Sequence, residues 1–350
     1  MKILIGMSGG VDSSVAALLM KRAGHECIGC TLKLHEYGKD TELCGSASDL
    51  SDAARICSKL GIRHEVFDFC RDFDTAVVSR FISAYEHGET PNPCVDCNRF
   101  MKFDKLISAS DLFGADAVVS GHYVRGGVLG DRYTIRKALD ENKDQSYVLA
   151  LLSQQQLSRI IFPLGEYTKE QIRAMAEEAG FENHAKPDSQ DICFIPDGDY
   201  VSFIESRTAK AYEPGSFLNE QGDVIGTHRG CIAYTVGQRK GLGISAPAPL
   251  YVTKIDVREN TVTLGSDASL YKDSLSVADM NYVSYPERHD PYRATVKVRY
   301  KQKEVGCTVY PDGKGGAKIA LDTPVRAITP GQIAVIYDGE YVVAGARIIK

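Results

Sequence analysis

The chain has 350 residues, which is long for one hydrophobic core, so two or three domains are expected. Its composition, 43% hydrophobic and 25% charged, is that of an ordinary globular protein, and no apolar run approaches the length of a membrane span. A net charge of −5 argues against a generic nucleic-acid binder, although a local basic face can still meet RNA. Ten cysteines at irregular spacing, in a chain without a signal-peptide pattern, predict thiols in a cytoplasmic protein.

The first pattern along the chain is an apolar run, residues 3–6, that leads into the turn Ser8-Gly9-Gly10-Val11-Asp12-Ser13. An Ala- and Leu-rich helix is predicted after it. Strand, glycine turn and helix N-terminus together present backbone N–H groups to an anion, and the glycines let a phosphate approach the main chain. The turn lacks the ending of a Walker A loop. We predict a phosphate site in which Asp12 holds Mg²⁺ or positions the loop; the alternative is a tight turn without a ligand.

Strands and helices alternate after this turn, with strands predicted at 26–34 and 64–69 and helices at 49–59 and 72–87. This order predicts an α/β domain with a doubly wound parallel sheet. Ligands of such sheets bind at the carboxyl ends of the strands, where the glycine turn lies. Gly121-His122-Tyr123 follows a further predicted strand at 117–120 and belongs to the same crevice. Cys27 and Cys30 fall on a strand and face opposite sides, so we interpret them as core thiols.

Two cysteines follow the proline-containing stretch Thr90-Pro91-Asn92-Pro93, which predicts an extended loop before a helix at about 99–113. Cys97 would then lie near a helix N-terminus, beside basic residues, and both features lower the pKa of a thiol. On such a turn Cys94 and Cys97 can point to one place; the alternative is a half-buried structural pair. Cys193, in a polar loop at 186–194, is a third candidate thiol, although alone it would be interpreted as a core cysteine.

The sequence pattern changes in the C-terminal half, where short alternating runs with glycine and proline replace the helical patterns. A capping box at Thr168 and Gln171 opens the last long helix before this change. A basic, glycine-rich segment, formed by residues 226–230 and 234–243, suits backbone contact with RNA phosphate, the alternative being a solvated loop. A hairpin is predicted at 250–264. Strands at 294–300, 304–310, 317–321 and 333–337 predict a small β-barrel, with Lys297 and Arg299 on one face.

The order and spacing of these stretches resemble the bacterial tRNA-specific 2-thiouridylases, of the PP-loop ATP pyrophosphatase superfamily, over essentially the whole length. The matching stretches are 6–13, 90–93 with Cys97-Asn98, 121–123, 143–146, 189–194, 234–241, 299–300 and 330–332. The resemblance implies an adenine nucleotide alpha hydrolase-like catalytic domain at 1–205, a β-rich tRNA-contact domain at 206–274 and a C-terminal β-barrel at 275–350.

The resemblance also implies residue roles. ATP, with Mg²⁺ bound to it, would be held by Gly6, Met7, Ser8, Gly9, Gly10, Val11, Asp12, Ser13, Leu32 and Gly121. tRNA would be contacted by His122, Lys143, Asp144, Gln145, Arg299, Tyr300 and Gln332. Cys193 would carry a persulfide sulfur and Cys97 would be the second catalytic thiol.

The implied reaction is the 2-thiolation of wobble uridine 34 in tRNAs of the Lys, Glu and Gln types. ATP would adenylate O2 of the uracil, which is otherwise a poor leaving group, and sulfur would then replace it at C2. A cysteine desulfurase or sulfur-relay protein would supply the sulfur. A target in a single-stranded anticodon loop can be splayed into a pocket at comparatively low cost. Cys97 would resolve the persulfide by forming a disulfide with Cys193, which requires that the fold bring the two together.

One departure from the family pattern leaves a second route open. Many members have Asn-Pro-Asp where this chain has Asn92-Pro93-Cys94, so the proton-transfer group is undecided, with Asp96 adjacent. Three thiols, Cys94, Cys97 and Cys193, could instead hold a [4Fe–4S] cluster with one open iron.

Two other functions compete with thiolation. Another PP-loop ligase would explain the glycine turn but not Cys97 and Cys193. An RNA- or metal-binding module with a vestigial nucleotide site would leave the intact turn unexplained. No spacing typical of structural zinc occurs in the sequence.

Overall fold

The computed structural model describes residues 1–35, 47–187 and 192–349. The strands of its N-terminal part are β1 (Lys2–Gly6), β2 (Glu26–Lys33), β3 (Arg63–Asp68), β4 (Ala117–Val119), β5 (Arg125–Leu129), β6 (Arg132–Arg136) and β7 (Ile160–Ile161). Five of them form a parallel sheet in the order β3-β2-β1-β4-β7. Ile3, Leu4 and Ile5 in the middle of the central strand β1 are fully buried, as expected of a parallel strand covered on both faces. The predicted doubly wound sheet is therefore confirmed.

The helices are α1 (Val11–Arg22), α2 (Ala47–Leu60), α3 (Cys70–Phe73), α4 (Ser79–Glu86), α5 (Pro93–Cys97), α6 (Phe103–Leu112), α7 (Ser146–Leu149), α8 (Gln154–Leu157), α9 (Lys169–Glu178) and α10 (Tyr200–Thr208). The parallel sheet is covered on one face by α1, α2 and α9 and on the other by α6. The capping box predicted at Thr168 and Gln171 opens α9. Within the described ranges, none of the helices has the length and apolar character needed to cross a membrane.

Two helical predictions are wrong in detail. The stretch predicted as one helix at 72–87 is divided by a π-helical turn, Asp74–Val78, between α3 and α4. The helix predicted to begin at residue 99 begins at Pro93 and passes through a second π-helical turn, Asn98–Lys102, into α6. Proline is well suited to the first position of a helix, because its missing N–H would be unbonded there, and Asn92 before it is extended.

The middle of the chain forms a small sheet from β8 (Gly215–Leu218), β9 (Val224–His228), β10 (Tyr251–Asp256) and β11 (Thr261–Gly265), in the order β10-β11-β8-β9. The predicted hairpin is the antiparallel pair β10–β11. This sheet packs against α4 and α10, which belong to the N-terminal part of the chain.

The C-terminal strands are β12 (Tyr271–Tyr282), β13 (Tyr292–Lys297), β14 (Val305–Pro311), β15 (Ala317–Arg326), β16 (Ile333–Asp338) and β17 (Tyr341–Ile348). They run in the order β12-β15-β14-β13-β16-β17, and β12 also pairs with β17, so the predicted barrel closes. Because β13 ends at Lys297, Arg299 and Tyr300 lie beyond the strand, and the prediction of a strand at 294–300 is wrong there. The β5–β6 hairpin extends the barrel sheet through one pair, Tyr341 opposite Arg136, which no sequence pattern predicted.

Candidate active site

The glycine turn lies where the strand order of the parallel sheet reverses. Chain-sequential strands β2 and β3 lie on one side of β1, whereas β4 lies on the other. The crevice at such a reversal, outside the carboxyl ends of the strands, is the usual ligand site of this architecture. The loop 7–10 leaves β1 there, and Gly121 leaves β4 beside it.

The loop is held in one shape by its own hydroxyl groups. The Ser8 backbone N–H donates to Ser13 Oγ at 3.2 Å, and the Ser13 hydroxyl donates to the carbonyl oxygen of Gly10 at 3.0 Å. Gly9 has a φ of +77°, and a Cβ there would lie 2.2 Å from the carbonyl oxygen of Asp49, so only glycine fits. Gly10 is the extended N-cap of α1 and its side is open, with Ser8 Oγ 3.4 Å from an ideal Cβ. The turn is therefore shaped to admit an anion to the start of α1.

The other residues predicted to hold ATP differ in what they can offer to a ligand. Met7 and Val11 have buried side chains, so they offer only backbone groups to a ligand. Leu32 is half-buried on β2. A Cβ at Gly121 would lie 2.9 Å from the backbone of Asp12 and Ser13, so this glycine permits close contact between β4 and the start of α1.

Asp12 has partners that the sequence did not reveal. Lys169, the first residue of α9, places its Nζ 2.8 and 2.9 Å from the two carboxylate oxygens, and the Tyr123 hydroxyl donates to Oδ1 at 2.6 Å. The Lys169 side chain is 6% exposed. A buried ion pair costs desolvation unless its geometry is good, and here both carboxylate oxygens and a phenol complete it. Of the two roles predicted for Asp12, positioning the loop fits this arrangement.

Asn183 also holds the turn and was missed by sequence analysis. Its side-chain amide donates to the carbonyl oxygen of Gly9 at 2.9 Å and to Ser14 Oγ at 3.0 Å. Lys186 bonds Asp49 and Asp52 at the start of α2, at 2.5 and 2.6 Å. No local pattern could have identified these contacts, because they join segments that are far apart in the chain.

The candidate thiols lie around one hydrophobic cluster. Cys97 is buried in it together with Phe73, and Cys193 packs against it from another segment. Leu34, directly after β2, packs against the same cluster, so the thiols lie at the sheet edge that carries the glycine turn. Cys97 ends α5 and is not at a helix N-terminus, which corrects the prediction; Cys94, in the first turn of α5, is exposed.

The two π-helical turns, Asp74–Val78 and Asn98–Lys102, flank this cluster. Such turns are rare and occur frequently at functional sites. Asn98 is 2% exposed, and its amide donates to the carbonyl oxygen of Val148 at 3.2 Å. Its Oδ1 is buried and has no hydrogen-bond partner among the residues that the structure describes. Burial raises the pKa of the nearby Asp96 carboxyl against the opposing effect of Arg80 and Arg99.

The thiols do not form a metal site in this structure. Among residues 1–35, 47–187 and 192–349, no three His, Cys, Asp or Glu side chains are grouped closely enough to hold a metal ion. The residues therefore do not fit a [4Fe–4S] cluster as they stand. No disulfide joins the nine cysteines of the described ranges, and part of the 189–194 motif, residues 189–191, lies outside them.

Several residues predicted to contact tRNA have bonds within the protein. Asp144 accepts hydrogen bonds from the backbone N–H groups of Ala138 and Ser146, and Gln145 accepts one from the N–H of Tyr123. Gln332 donates to the carbonyl oxygens of the loop before α5, at 2.8 and 3.2 Å. These three side chains therefore hold the segments around the crevice in place.

Three further residues predicted to contact tRNA are Tyr300, Lys143 and His122. Tyr300 is 38% exposed, and its pKa is raised by burial, with Asp144 and Cys94 nearby. Lys143 is half-buried. His122 lies 2.6 Å through Nδ1 from Ser120 Oγ, and burial, together with nearby Lys102, lowers its pKa to about 3. His122 is therefore neutral at physiological pH and is suited to hydrogen bonding rather than to charge pairing.

Three protein families match consecutive parts of the chain. The tRNA methyl transferase HUP domain matches residues 1–197, the tRNA methyl transferase PRC-barrel domain matches residues 201–266, and the aminomethyltransferase beta-barrel domain matches residues 272–348. These matches follow the order of parallel sheet, small central sheet and closed barrel. The domain boundaries of the sequence analysis remain predictions.

Curated proteins match over nearly the full length. The tRNA-specific 2-thiouridylase MnmA of Acetivibrio thermocellus is 43% identical, covering 99% of this chain and 99% of the relative. The protein of the same description from Pelotomaculum thermopropionicum is also 43% identical, covering 99% of this chain and 97% of the relative. Among solved structures, a 4-thiouridine synthetase in complex with RNA and ATP is 18% identical with a TM-score of 0.39, covering 59% of this chain and 50% of that one.

Proposed function

Because the chain belongs to the tRNA-specific 2-thiouridylase family, we propose that it is a tRNA sulfurtransferase that makes 2-thiouridine at the wobble position with ATP. The observation that carries this proposal is that a turn suited to phosphate and a pair of thiols lie at the same edge of the parallel sheet. An anion-binding glycine turn follows β1, and two thiols from distant segments share a cluster beside β2. A PP-loop ligase would need the glycine turn but would not need the two thiols.

ATP binding is proposed at the turn after β1. The start of α1 and the open side of Gly10 would receive the phosphates, and the adenosine would lie beside Gly121. Mg²⁺ would enter bound to the ATP phosphates, because the one carboxylate of the turn, Asp12, is already bonded to Lys169. Lys169 adds a fixed positive charge beside the phosphates.

The first chemical step is adenylation of the base. O2 of the target uracil attacks the α-phosphorus of ATP, and pyrophosphate leaves from the phosphates held at the turn. The base then carries an AMP group at C2, which is a good leaving group. This order explains why the loop is shaped for pyrophosphate release and lacks the lysine of a Walker A loop.

The second step transfers sulfur. A sulfur donor protein first converts the Cys193 thiol into a persulfide, whose terminal sulfur attacks C2 of the adenylated base. AMP leaves with the electron pair of its bond to C2. The Cys97 thiolate then attacks Cys193 Sγ, which breaks the S–S bond, leaves the terminal sulfur on the base and joins the two cysteines in a disulfide. A thiol reductant must restore both cysteines before the next cycle.

The test is nucleoside mass spectrometry of unmodified tRNA-Lys after incubation with the protein, ATP, Mg²⁺ and a persulfide-generating system. A second tube holds the protein after anaerobic cluster reconstitution, with sulfide as the sulfur source. Cys193→Ala is compared with Cys70→Ala, which removes a thiol of the same half-buried class.

Thiouridine in the first tube, lost in Cys193→Ala and kept in Cys70→Ala, supports the persulfide route. Thiouridine only in the second tube would assign sulfur transfer to a cluster on Cys94, Cys97 and Cys193, after a rearrangement of the site. A protein that binds ATP but makes no thiouridine in either tube would refute the assignment and favour a PP-loop ligase.

A further inference from the structure

A cavity of about 440 Å³ lies where the three parts of the chain meet. Its wall is formed by the start of α10 from Gly198, by the central-domain residue Arg229 with the loop 233–238, and by Arg299 next to the barrel. The volume is within the range of ordinary ligand sites, roughly 300–1,000 Å³. Nothing in the proposed reaction uses this cavity directly.

Arg299 supplies hydrogen-bond donors to this cavity that the protein does not consume. Its Nη2 donates to the carbonyl oxygens of Val236 and Ala327, at 3.4 and 2.6 Å, and to Thr329 Oγ1 at 2.7 Å. A guanidinium has five N–H donors, and within residues 1–35, 47–187 and 192–349 those on Nε and Nη1 make no hydrogen bond. Within the described part of the chain Arg299 has no carboxylate in ion-pair contact, and burial lowers its pKa. A half-buried cation held only by neutral oxygens is stabilised when an anion reaches it.

Arg229 faces the same space from the central domain. It is exposed, and among residues 1–35, 47–187 and 192–349 its guanidinium makes no hydrogen bond or ion pair. The one carboxylate of the wall, Asp199, is bonded to the backbone N–H and hydroxyl of Ser202, at 3.1 and 2.7 Å, as the N-cap of α10. The wall therefore carries one net positive charge. Arg326, whose Nη1 lies 3.7 Å from the position of a Cβ on Gly237, is paired with Asp267 at 2.9 Å and adds no net charge.

The cavity adjoins the thiol-bearing segments. Gly198 follows Cys193 in the same loop, and Tyr300, the neighbour of Arg299, lies near Cys94. A group bound in the cavity is thus close to the base that the thiols would modify. Its chemistry must be anionic and must accept several N–H donors, as the oxygens of a phosphate group do.

We propose, on the basis of the proposed function, that this cavity binds one phosphodiester of the tRNA substrate, next to the modified uridine, through Arg229 and Arg299. Arg229 belongs to the basic segment at 226–230 that the sequence predicts to meet RNA phosphate, and it lies in the wall of this cavity together with Arg299. The contact fixes the position of the strand while the target base is turned into the crevice.

The test measures the affinity for tRNA over a series of salt concentrations in Arg229→Gln. The matched control is Arg258→Gln, which removes an exposed arginine of the same domain from outside the cavity. We expect Arg229→Gln to weaken binding about tenfold, the worth of one charge-assisted hydrogen bond. We also expect the salt slope of binding to fall by about 1, with ATP affinity in the absence of tRNA unchanged. Arg258→Gln should match the wild type.

A second arm identifies the ligand group. A full-length tRNA with one neutral methylphosphonate linkage beside the target uridine should bind the wild type more weakly than unmodified tRNA does. The loss should be smaller in Arg229→Gln, in which only Arg299 still contacts the phosphate. Equal binding by the two glutamine variants would overturn the proposal. Displacement of tRNA by pyrophosphate from the wild type but not from Arg229→Gln would assign the cavity to a free anion instead. A wild type that binds no tRNA at any salt concentration would refute the proposed function itself.

Discussion

The Gly10→Ala substitution separates a phosphate cradle from a turn that serves only the fold. Gly10 is the extended N-cap of α1, with φ −84° and ψ 161°, a conformation that alanine adopts readily. An added Cβ would meet only Ser8 Oγ, at 3.4 Å. The folded protein without ligand should therefore tolerate the change, at a cost of about 0.5–1 kcal/mol for alanine at an N-cap. In a chain of this size that corresponds to a fall in Tm of about 1 °C.

The affinity for ATP should fall far more than the stability does in Gly10→Ala. The new methyl group stands on the open side of the turn, where a phosphate must approach the backbone N–H groups to within about 3 Å. Loss of at least one hydrogen bond to a charged group costs about 1.5–3 kcal/mol, which corresponds to a loss of affinity of roughly 10- to 150-fold. The substitution thus separates affinity from stability.

The assay is isothermal titration with ATP and Mg²⁺, together with thermal unfolding followed by circular dichroism. Gly127→Ala is the matched control, since its Cβ would also meet one hydroxyl oxygen at 3.4 Å, but on the exposed strand β5. Gly9→Ala is the positive control for steric damage, because its Cβ would lie 2.2 Å from a backbone oxygen at a positive φ. If Gly10→Ala binds ATP as tightly as Gly127→Ala does, the turn is not a phosphate cradle.

Three further predictions concern residues around the crevice. Lys169→Met should destabilise the protein by about 3 kcal/mol, the low end for a broken buried ion pair because Asp12 is 32% exposed; in urea unfolding, adding Asp12→Asn should restore part of the loss, and strictly additive effects would contradict the coupling. His122, whose pKa burial lowers to about 3, should keep the nitrogen chemical shifts of a neutral imidazole from pH 8 to pH 5. Because the unfolded chain takes up that proton near pH 6.5, this histidine should make stability fall as the pH drops from 6.5 toward 3, and substitution by glutamine should lessen that fall. Gln332→Leu removes two bonds to the loop before α5 and should speed amide exchange there, without changing exchange in α1.

The sequence by itself determined the elements whose signals are local. The apolar run before the glycine turn, the capping box at Thr168 and the alternating strands of the C-terminal part each depend on residues a few positions apart, and the structure confirms each of them. The start of α5 was mispredicted because two prolines favour an extended loop, while proline is equally suited to the first position of a helix. The family motifs identified the glycine turn and the cysteines for the same reason, since each motif is a short contiguous stretch.

Tertiary structure alone decided how the crevice is held and what surrounds it. Lys169 meets Asp12 across 157 positions of the chain, and Gln332 meets the loop before α5 across 242. The cavity around Arg229 exists only because α10, a central-domain loop and the end of a barrel segment meet. Hydrophobic periodicity specifies which face of each element is buried but not which distant polar side chain arrives beside it. That pairing depends on how the domains pack together, and no local pattern encodes it.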